Sequence, residues 1–222
     1  MTLPPDLPDT RVLDADEGAL VRTPQRFREL CPGRAALLVA DPATWNAAGR
    51  ELYAAFRAAG VPVARPFVFD AAPRPSLDSL AILLAALEDS DERAPPCPVA
   101  VGGGTLADLC KRAAHLRSAP CLVFATAPSS TAFAAPGARL ADSSGLPADL
   151  PCPAPAAVFA EPEVLARAPA PLAAAGYGEA MACLLAGADW LAAAAKRTRF
   201  GERCPAPQDN TPSSPDNLPS ST

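Results

Sequence analysis

Apolar and polar positions follow two alternating rhythms along the first two thirds of the chain. Residues 34–41 (RAALLVAD) form a continuous apolar run stopped by Asp-Pro, the pattern of a buried strand. Over 44–59 the period lengthens: Trp45, Leu52, Tyr53 and Phe56 fall on one helical face, and Gly60 supplies the stop. Residues 61–70 return to strand character, with Pro62 and Pro66 pushing that strand to an edge because neither can donate to a ladder. Ser76 opens a second helix through Leu80, Leu83, Leu84 and Leu87. A third strand, 98–101, runs straight into Gly102, Gly103 and Gly104 and then a helix over 105–116; CLVFA at 121–125 is a fourth strand. Strands alternating with helices predict an α/β fold, a Rossmann-like parallel sheet with helices on both faces. Ligands of such sheets settle outside the carboxyl ends of the strands, so Asp41, residues 102–105 and residues 126–129 should converge on one crevice.

After Ser129 the texture changes. Residues 130–157 are rich in Pro, Ala and Ser and predict a loop or small hairpin; 155–160 reads as a short strand and 163–168 as one or two helical turns. A long Ala-rich helix is contained in 172–196. From Cys204 onward, five prolines and four serines leave nothing to form a core, which predicts a disordered tail over 204–222.

Composition narrows the chemistry. Of 222 residues 28 are proline and half are hydrophobic, but aromatics are 5% and Ile82 is the sole isoleucine, so the core is built from Ala, Leu and Val. The net charge of −5 argues against nucleic acid or an anionic membrane surface as partner. His115 is the single histidine, so no centre needing two imidazoles can be made within this chain. It falls at the end of the glycine-loop helix, where a partial positive charge suits the dipole. Cys31, Cys97, Cys110, Cys121, Cys152, Cys183 and Cys204 are odd in number and never in C-x-x-C, as expected of structural thiols in a reducing compartment. The start lacks a basic region followed by an apolar stretch, and the apolar segment 180–195 is broken by Asp189 and too short for a bilayer. A cytoplasmic location is expected.

The sharpest local signal is Val101-Gly-Gly-Gly-Thr105. A strand entering consecutive glycines and then a helix lets backbone approach a pyrophosphate whose charge faces the helix N-terminus, and Thr105 can donate to a phosphate oxygen. The same triplet also serves as a purely steric turn. Asp41 is placed to accept from ribose hydroxyls; its alternative is a turn residue before Pro42.

GGGTLADLCK, LVFATAPSSTAFAAPGA, the stretch from LPADLPCPAPAAVFAEPEVL to AAAGYGE, and GADWL occur in order at compatible spacing. Together they resemble the sn-glycerol-1-phosphate dehydrogenases, within the superfamily of dehydroquinate synthase, glycerol dehydrogenase and iron-containing alcohol dehydrogenases. The resemblance implies an oxidoreductase using NAD or NADP, assisted by a divalent metal such as zinc or nickel, that interconverts dihydroxyacetone phosphate and glycerol 1-phosphate. It implies that Gly102, Gly103, Gly104 and Thr105 hold the pyrophosphate, that Asp108 and Lys111 line the cofactor site, and that Thr126 and Ser129 run beside it. Thr131 takes the place of a substrate-binding Asp or Asn. Glu179, after Gly176-Tyr177-Gly178, takes that of a metal-binding Asp next to the substrate. No residue is assigned a catalytic role.

The resemblance further implies two metal-binding histidines from a helical domain, and none follows His115. The expected organisation is an N-terminal segment (1–30), a dinucleotide-binding domain (31–160), the start of an incomplete helical metal and substrate domain (161–203) and the tail (204–222). The expected function is a glycerol-1-phosphate dehydrogenase-like protein impaired by truncation, its partners a dinucleotide and a small phosphorylated polyol. The alternative is a non-catalytic nucleotide- or partner-binding module. The stripe of Leu184, Leu185, Trp190 and Leu191 should be core or domain interface; left uncovered, it would favour self-association as a homo-oligomer.

Overall fold

The computed structural model describes residues 10–89, 94–130, 132–142 and 144–200. It opens with β1 (Val12–Asp14) and α1 (Ala19–Leu30), followed by β2 (Ala35–Ala40). A helical stretch comes next in three pieces: α2 (Pro42–Thr44), a π-helical turn (Trp45–Gly49) and α3 (Arg50–Ala58). Then come β3 (Phe67–Val68), α4 (Leu77–Glu88), β4 (Pro96–Gly102), α5 (Gly104–Leu116) and β5 (Leu122–Ala125). A hairpin of β6 (Ala138–Ala141) and β7 (Pro147–Leu150) precedes β8 (Ala157–Ala160), α6 (Pro162–Ala166) and α7 (Ala170–Phe200).

Six strands make one sheet in the order β1-β8-β5-β4-β2-β3, every pair parallel. Alternate residues of each central strand feed opposite faces. On one face Leu38, Val99, Val101, Phe124 and Phe159 pack under α1 and α3, where Phe27 meets Phe56 edge to face at 5.5 Å. On the other, Leu37, Val39, Ala100, Val123 and Val158 pack under Leu80, Leu83 and Leu87 of α4 and Leu106 and Leu109 of α5. Both faces being covered explains why the strands read as continuous apolar runs. The expected α/β sheet with helices on both faces, followed by a long helix, is the observed architecture.

Three details depart from the pattern reading. The 1–30 segment contains β1 and α1, which belong to the sheet and its covering layer: β1 pairs with β8, and Gly18 and Leu20 donate their N–H groups to the Glu161 carboxylate at the end of β8. The strand expected over 61–70 shrinks to Phe67–Val68 and a single bridge from Val63 to Ala36, because Pro62 and Pro66 offer no N–H to the ladder. It does lie at the edge of the sheet. The helix expected to begin at Thr44 begins at Pro42 and widens into the π turn, where a side chain at Gly49 would collide with the Trp45 ring. Residues 204–222 lie outside the described residues. No helix among the described residues is long and apolar enough to cross a membrane.

Candidate dinucleotide site

Every chain segment that reaches the carboxyl edge of the sheet turns there. At the end of β2, Asp41 accepts from the Thr44 N–H (2.8 Å), and the Thr44 hydroxyl accepts from the Asp41 N–H (3.0 Å), a reciprocal cap that fixes where α2 starts. One Asp41 oxygen is therefore committed to the helix, and the residue serves the turn whatever else it binds.

At the end of β4, Gly102 adopts φ 159°, a backbone setting unsuited to side chains, and a Cβ there would run into Leu106. Gly103 caps α5 through its backbone alone, its carbonyl accepting from Ala107 N–H at 3.1 Å. No side chain caps this helix, in contrast to Asp41 on α2 and Ser76 on α4. A Cβ built on Gly104 would meet nothing within 4 Å, and one on Gly103 would reach only the Ser129 hydroxyl at 3.6 Å. The first-turn N–H groups thus open onto free space lined by backbone, a fit for an anion such as pyrophosphate.

The segment after β5 lies alongside. Thr126 is buried and its N–H donates to the Gly102 carbonyl at 3.4 Å. Ser129 faces Gly103. Asp41 with Thr44, the three glycines with Thr105, and Thr126 with Ser129 are brought to one edge. Next to them is a cleft of about 380 Å³ lined by Thr44, Asn46, Thr126, Val164, Arg167 and Leu172, among others. Asn46 and Arg167 were not singled out from sequence. Their only signal there is position: one lies in the first turn after β2, the other closes the short helix after β8.

Asp108 and Lys111 lie further along α5, where they line a hollow of about 340 Å³ with Ala132, Ala135 and Arg139, among others. Lys111 is almost fully buried, with its Nζ 2.9 Å from Asp108 Oδ1 and donating to the Ala135 carbonyl at 3.2 Å. The other Asp108 oxygen accepts from Arg139 N–H at 3.1 Å. The pair thereby bolts α5 to the segment leading into β6 and to β6 itself. Its charges satisfy each other rather than facing the glycine loop. His115 is exposed in the last turn of α5. It helps line a separate hollow of about 550 Å³ near the amino ends of β5 and β8, together with Arg11, Ser118 and Cys121. That hollow is larger than the cleft but lies at the opposite edge from the glycines.

Glu179 is held over the loop after β5. Gly176, one turn earlier in α7, is so close to the Pro128 carbonyl that a Cβ would overlap it, and this approach lets the Ser130 hydroxyl donate to Glu179 Oε1 at 3.3 Å. Thr131 lies outside the described residues. Among the described residues no three His, Cys, Asp or Glu side chains gather as metal ligands. A carboxylate beside a hydroxyl supplies fewer donors than a divalent cation takes, so the described residues do not by themselves make up a metal site.

The chain has recognisable relatives among known proteins. The sequence pattern of the iron-containing alcohol dehydrogenases matches residues 14–169. The glycerol-1-phosphate dehydrogenase [NAD(P)+] of Bacillus velezensis is 32% identical over 158 residues, covering 69% of this chain and 39% of that protein. Its counterpart in Thermofilum pendens is 30% identical over 165 residues, covering 74% and 44%. Among solved structures, a probable glycerol dehydrogenase from Sinorhizobium meliloti superposes with a TM-score of 0.64 at 22% identity, over 79% of this chain and 46% of that one. A 1,3-propanediol oxidoreductase gives 0.66 at 21% identity, over 81% and 51%. The chain spans about two fifths of the length of these curated relatives. It belongs to the iron-containing alcohol dehydrogenase family.

Proposed function

We propose that the chain binds NAD or NADP along the carboxyl edge of its sheet, as the cofactor-holding part of a glycerol-1-phosphate dehydrogenase-like oxidoreductase. The observation that carries this reading is the uncapped N-terminus of α5, entered through Gly102, Gly103 and Gly104 and flanked by Thr126 and Ser129. Backbone N–H groups and the helix dipole there favour the pyrophosphate, and the cleft beside Thr44 and Thr126 offers room for the rest of the dinucleotide. The cofactor would supply hydride chemistry; the chain's own residues bind and orient it. The relatives' names support dihydroxyacetone phosphate and glycerol 1-phosphate as the substrate pair.

With no three metal-ligating side chains gathered among the described residues, a second element of the proposal is that dehydrogenase turnover by this chain alone is impaired. If so, the working role is that of a nucleotide- or partner-binding module. NADH and NADPH fluorescence titrations separate the possibilities from a purely structural fold. At least one nucleotide should saturate, and Gly103→Trp, which fills the space above the helix, should abolish the signal while leaving the far-ultraviolet dichroism intact. No saturation at millimolar nucleotide would refute the cofactor role. With nucleotide bound, an assay with dihydroxyacetone phosphate and Zn²⁺ or Ni²⁺ should show little or no oxidation of NADH. Turnover that survives a chelator would overturn the impairment.

A further inference from the structure

Two cysteines that play no part in the cleft face each other at the opposite, amino edge of the sheet. Cys31 ends α1 beneath the exposed Pro32-Gly33 turn, and Cys97 lies in β4, in register with Ala36 of β2. Their Sγ atoms are 3.3 Å apart. Both are shielded, Cys31 at 2% and Cys97 at 0% exposure, and the Cys97 thiol also reaches the Pro120 carbonyl at 3.1 Å. Closing from this separation to a disulfide length of about 2.05 Å asks for only a small side-chain movement.

The surroundings make the two sulfurs unequal. When the single Cys97 S–H proton turns from the Pro120 carbonyl to Cys31, that hydrogen bond holds the Cys31 thiol below its ordinary range against the opposing effect of burial, helped by the Arg34 and Arg11 guanidiniums. The bond to Cys31 and burial both push Cys97 up. Burial likewise raises Cys110, Cys121 and Cys152. Cys31 is thus the sulfur most readily present as thiolate among these five, one residue beneath a surface turn, with a second thiol already in contact.

We propose that Cys31 and Cys97 are a paired oxidation site that a peroxide converts to an intramolecular disulfide. The Cys31 thiolate attacks one oxygen of hydrogen peroxide, the O–O bond breaks, and the leaving hydroxide takes up a proton as water, leaving Cys31 as a sulfenic acid. The Cys97 sulfur then attacks the Cys31 sulfur. Its proton leaves with the displaced hydroxide as a second water. Two thiols lose two electrons in total and one peroxide gains them. Thiol reductants reverse the step by exchange. The product staples the end of α1 to the start of β4, the strand that carries the glycine loop at its other end.

The test uses the full chain with Cys183→Ser and Cys204→Ser, which removes the exposed thiol and the one outside the described residues and leaves five of the seven cysteines. After brief exposure to millimolar hydrogen peroxide, the protein is unfolded, alkylated and peptide-mapped without reduction. The expected result is a fall from five to three alkylated cysteines, one cross-linked peptide pair containing Cys31 and Cys97, monomer on a non-reducing gel, and full reversal by dithiothreitol. In Cys97→Ser, which keeps a hydrogen-bond donor beside Cys31 but no second sulfur, dimedone should label Cys31 as the trapped sulfenic acid. Five alkylated cysteines after peroxide, or a cross-link pairing Cys31 with Cys121, would overturn the proposal, as would dimedone on Cys110 or Cys152 in preference to Cys31.

Discussion

A methyl group at position 176 would overlap the carbonyl oxygen of Pro128, and backbone cannot swing aside as a side-chain tip can. Alanine in a helix interior is worth about 0.5–1 kcal/mol over glycine, whereas forcing extra volume into a packed contact costs about 1–3 kcal/mol. The clash should win. Gly176→Ala is expected to loosen α7 from the loop after β5 and break the bond from Ser130 to Glu179, seen as faster amide exchange over 170–185. Gly187→Ala, on the same helix with nothing within 4 Å of the added carbon, should slow exchange and gain roughly 0.5–1 kcal/mol. Lys111 gives a second contrast. Removing it strands Asp108, whose side chain is 23% exposed, so Lys111→Met should cost roughly 2–3 kcal/mol of stability by urea unfolding, less than a fully buried broken pair. Because Lys111 is tied to Asp108 and Ala135, nucleotide affinity in the surviving folded protein should change far less than with Gly103→Trp. Lys111 and Asp108, three apart on a helix, were readable as neighbours. Which way they face was not, because that depends on a hairpin whose position no local pattern encodes.

The edge strand β1 is only three residues long, and an ion pair holds it to α1: Arg22 Nη2 lies 2.6 Å from Asp14 Oδ1, and Nε donates to Oδ2 at 2.8 Å. The hydrogen bond from Arg22 keeps the Asp14 carboxyl below its ordinary value of 3.8. A carboxylate with a lowered folded-state pKa stabilises fully above that ordinary value and loses its contribution as pH falls through the folded one. The gap in urea midpoint between the protein and Arg22→Gln should therefore be open at pH 6 and close towards pH 2.5. A gap that persists in acid would assign the stabilisation to the hydrogen bond that Arg22 Nη1 donates to the Glu17 carbonyl instead. These first elements were also the least legible. β1 offers three residues to a period of two, and α1 carries Pro24 in its interior and takes its N-terminal anchor from Glu161, which only the finished sheet brings near. By contrast β2, α4, β4, α5 and β5 were readable because their apolar runs, the Ser76 cap and the glycine stop are local. The hairpin was half legible: Pro and Ser marked it, but its pairing of Ala138 with Leu150 was not encoded nearby.

At the scale of the whole molecule, α7 stands out. Tyr177, Leu184 and Leu191, spaced by seven, are exposed, as are Leu185 and Trp190. Apolar area of this extent favours association. Sedimentation velocity is expected to show mass rising with concentration, and Leu184→Glu with Leu191→Glu, both more than three turns beyond the cleft residue Leu172, should suppress it without altering NADH binding. A concentration-independent monomer would mean that the described face is covered in solution.

The strand order has a consequence for how the chain comes into being. Among the described residues β1 pairs only with β8, about 145 residues later. On a ribosome adding about 5–20 residues per second, β1 waits roughly seven to thirty seconds before that partner exists. Once β5 has emerged, its edge later filled by β8 is open as well. The nascent chain therefore carries two vacant strand edges until β8 emerges, and that waiting period, not the finished fold, is when it most needs shielding from its neighbours.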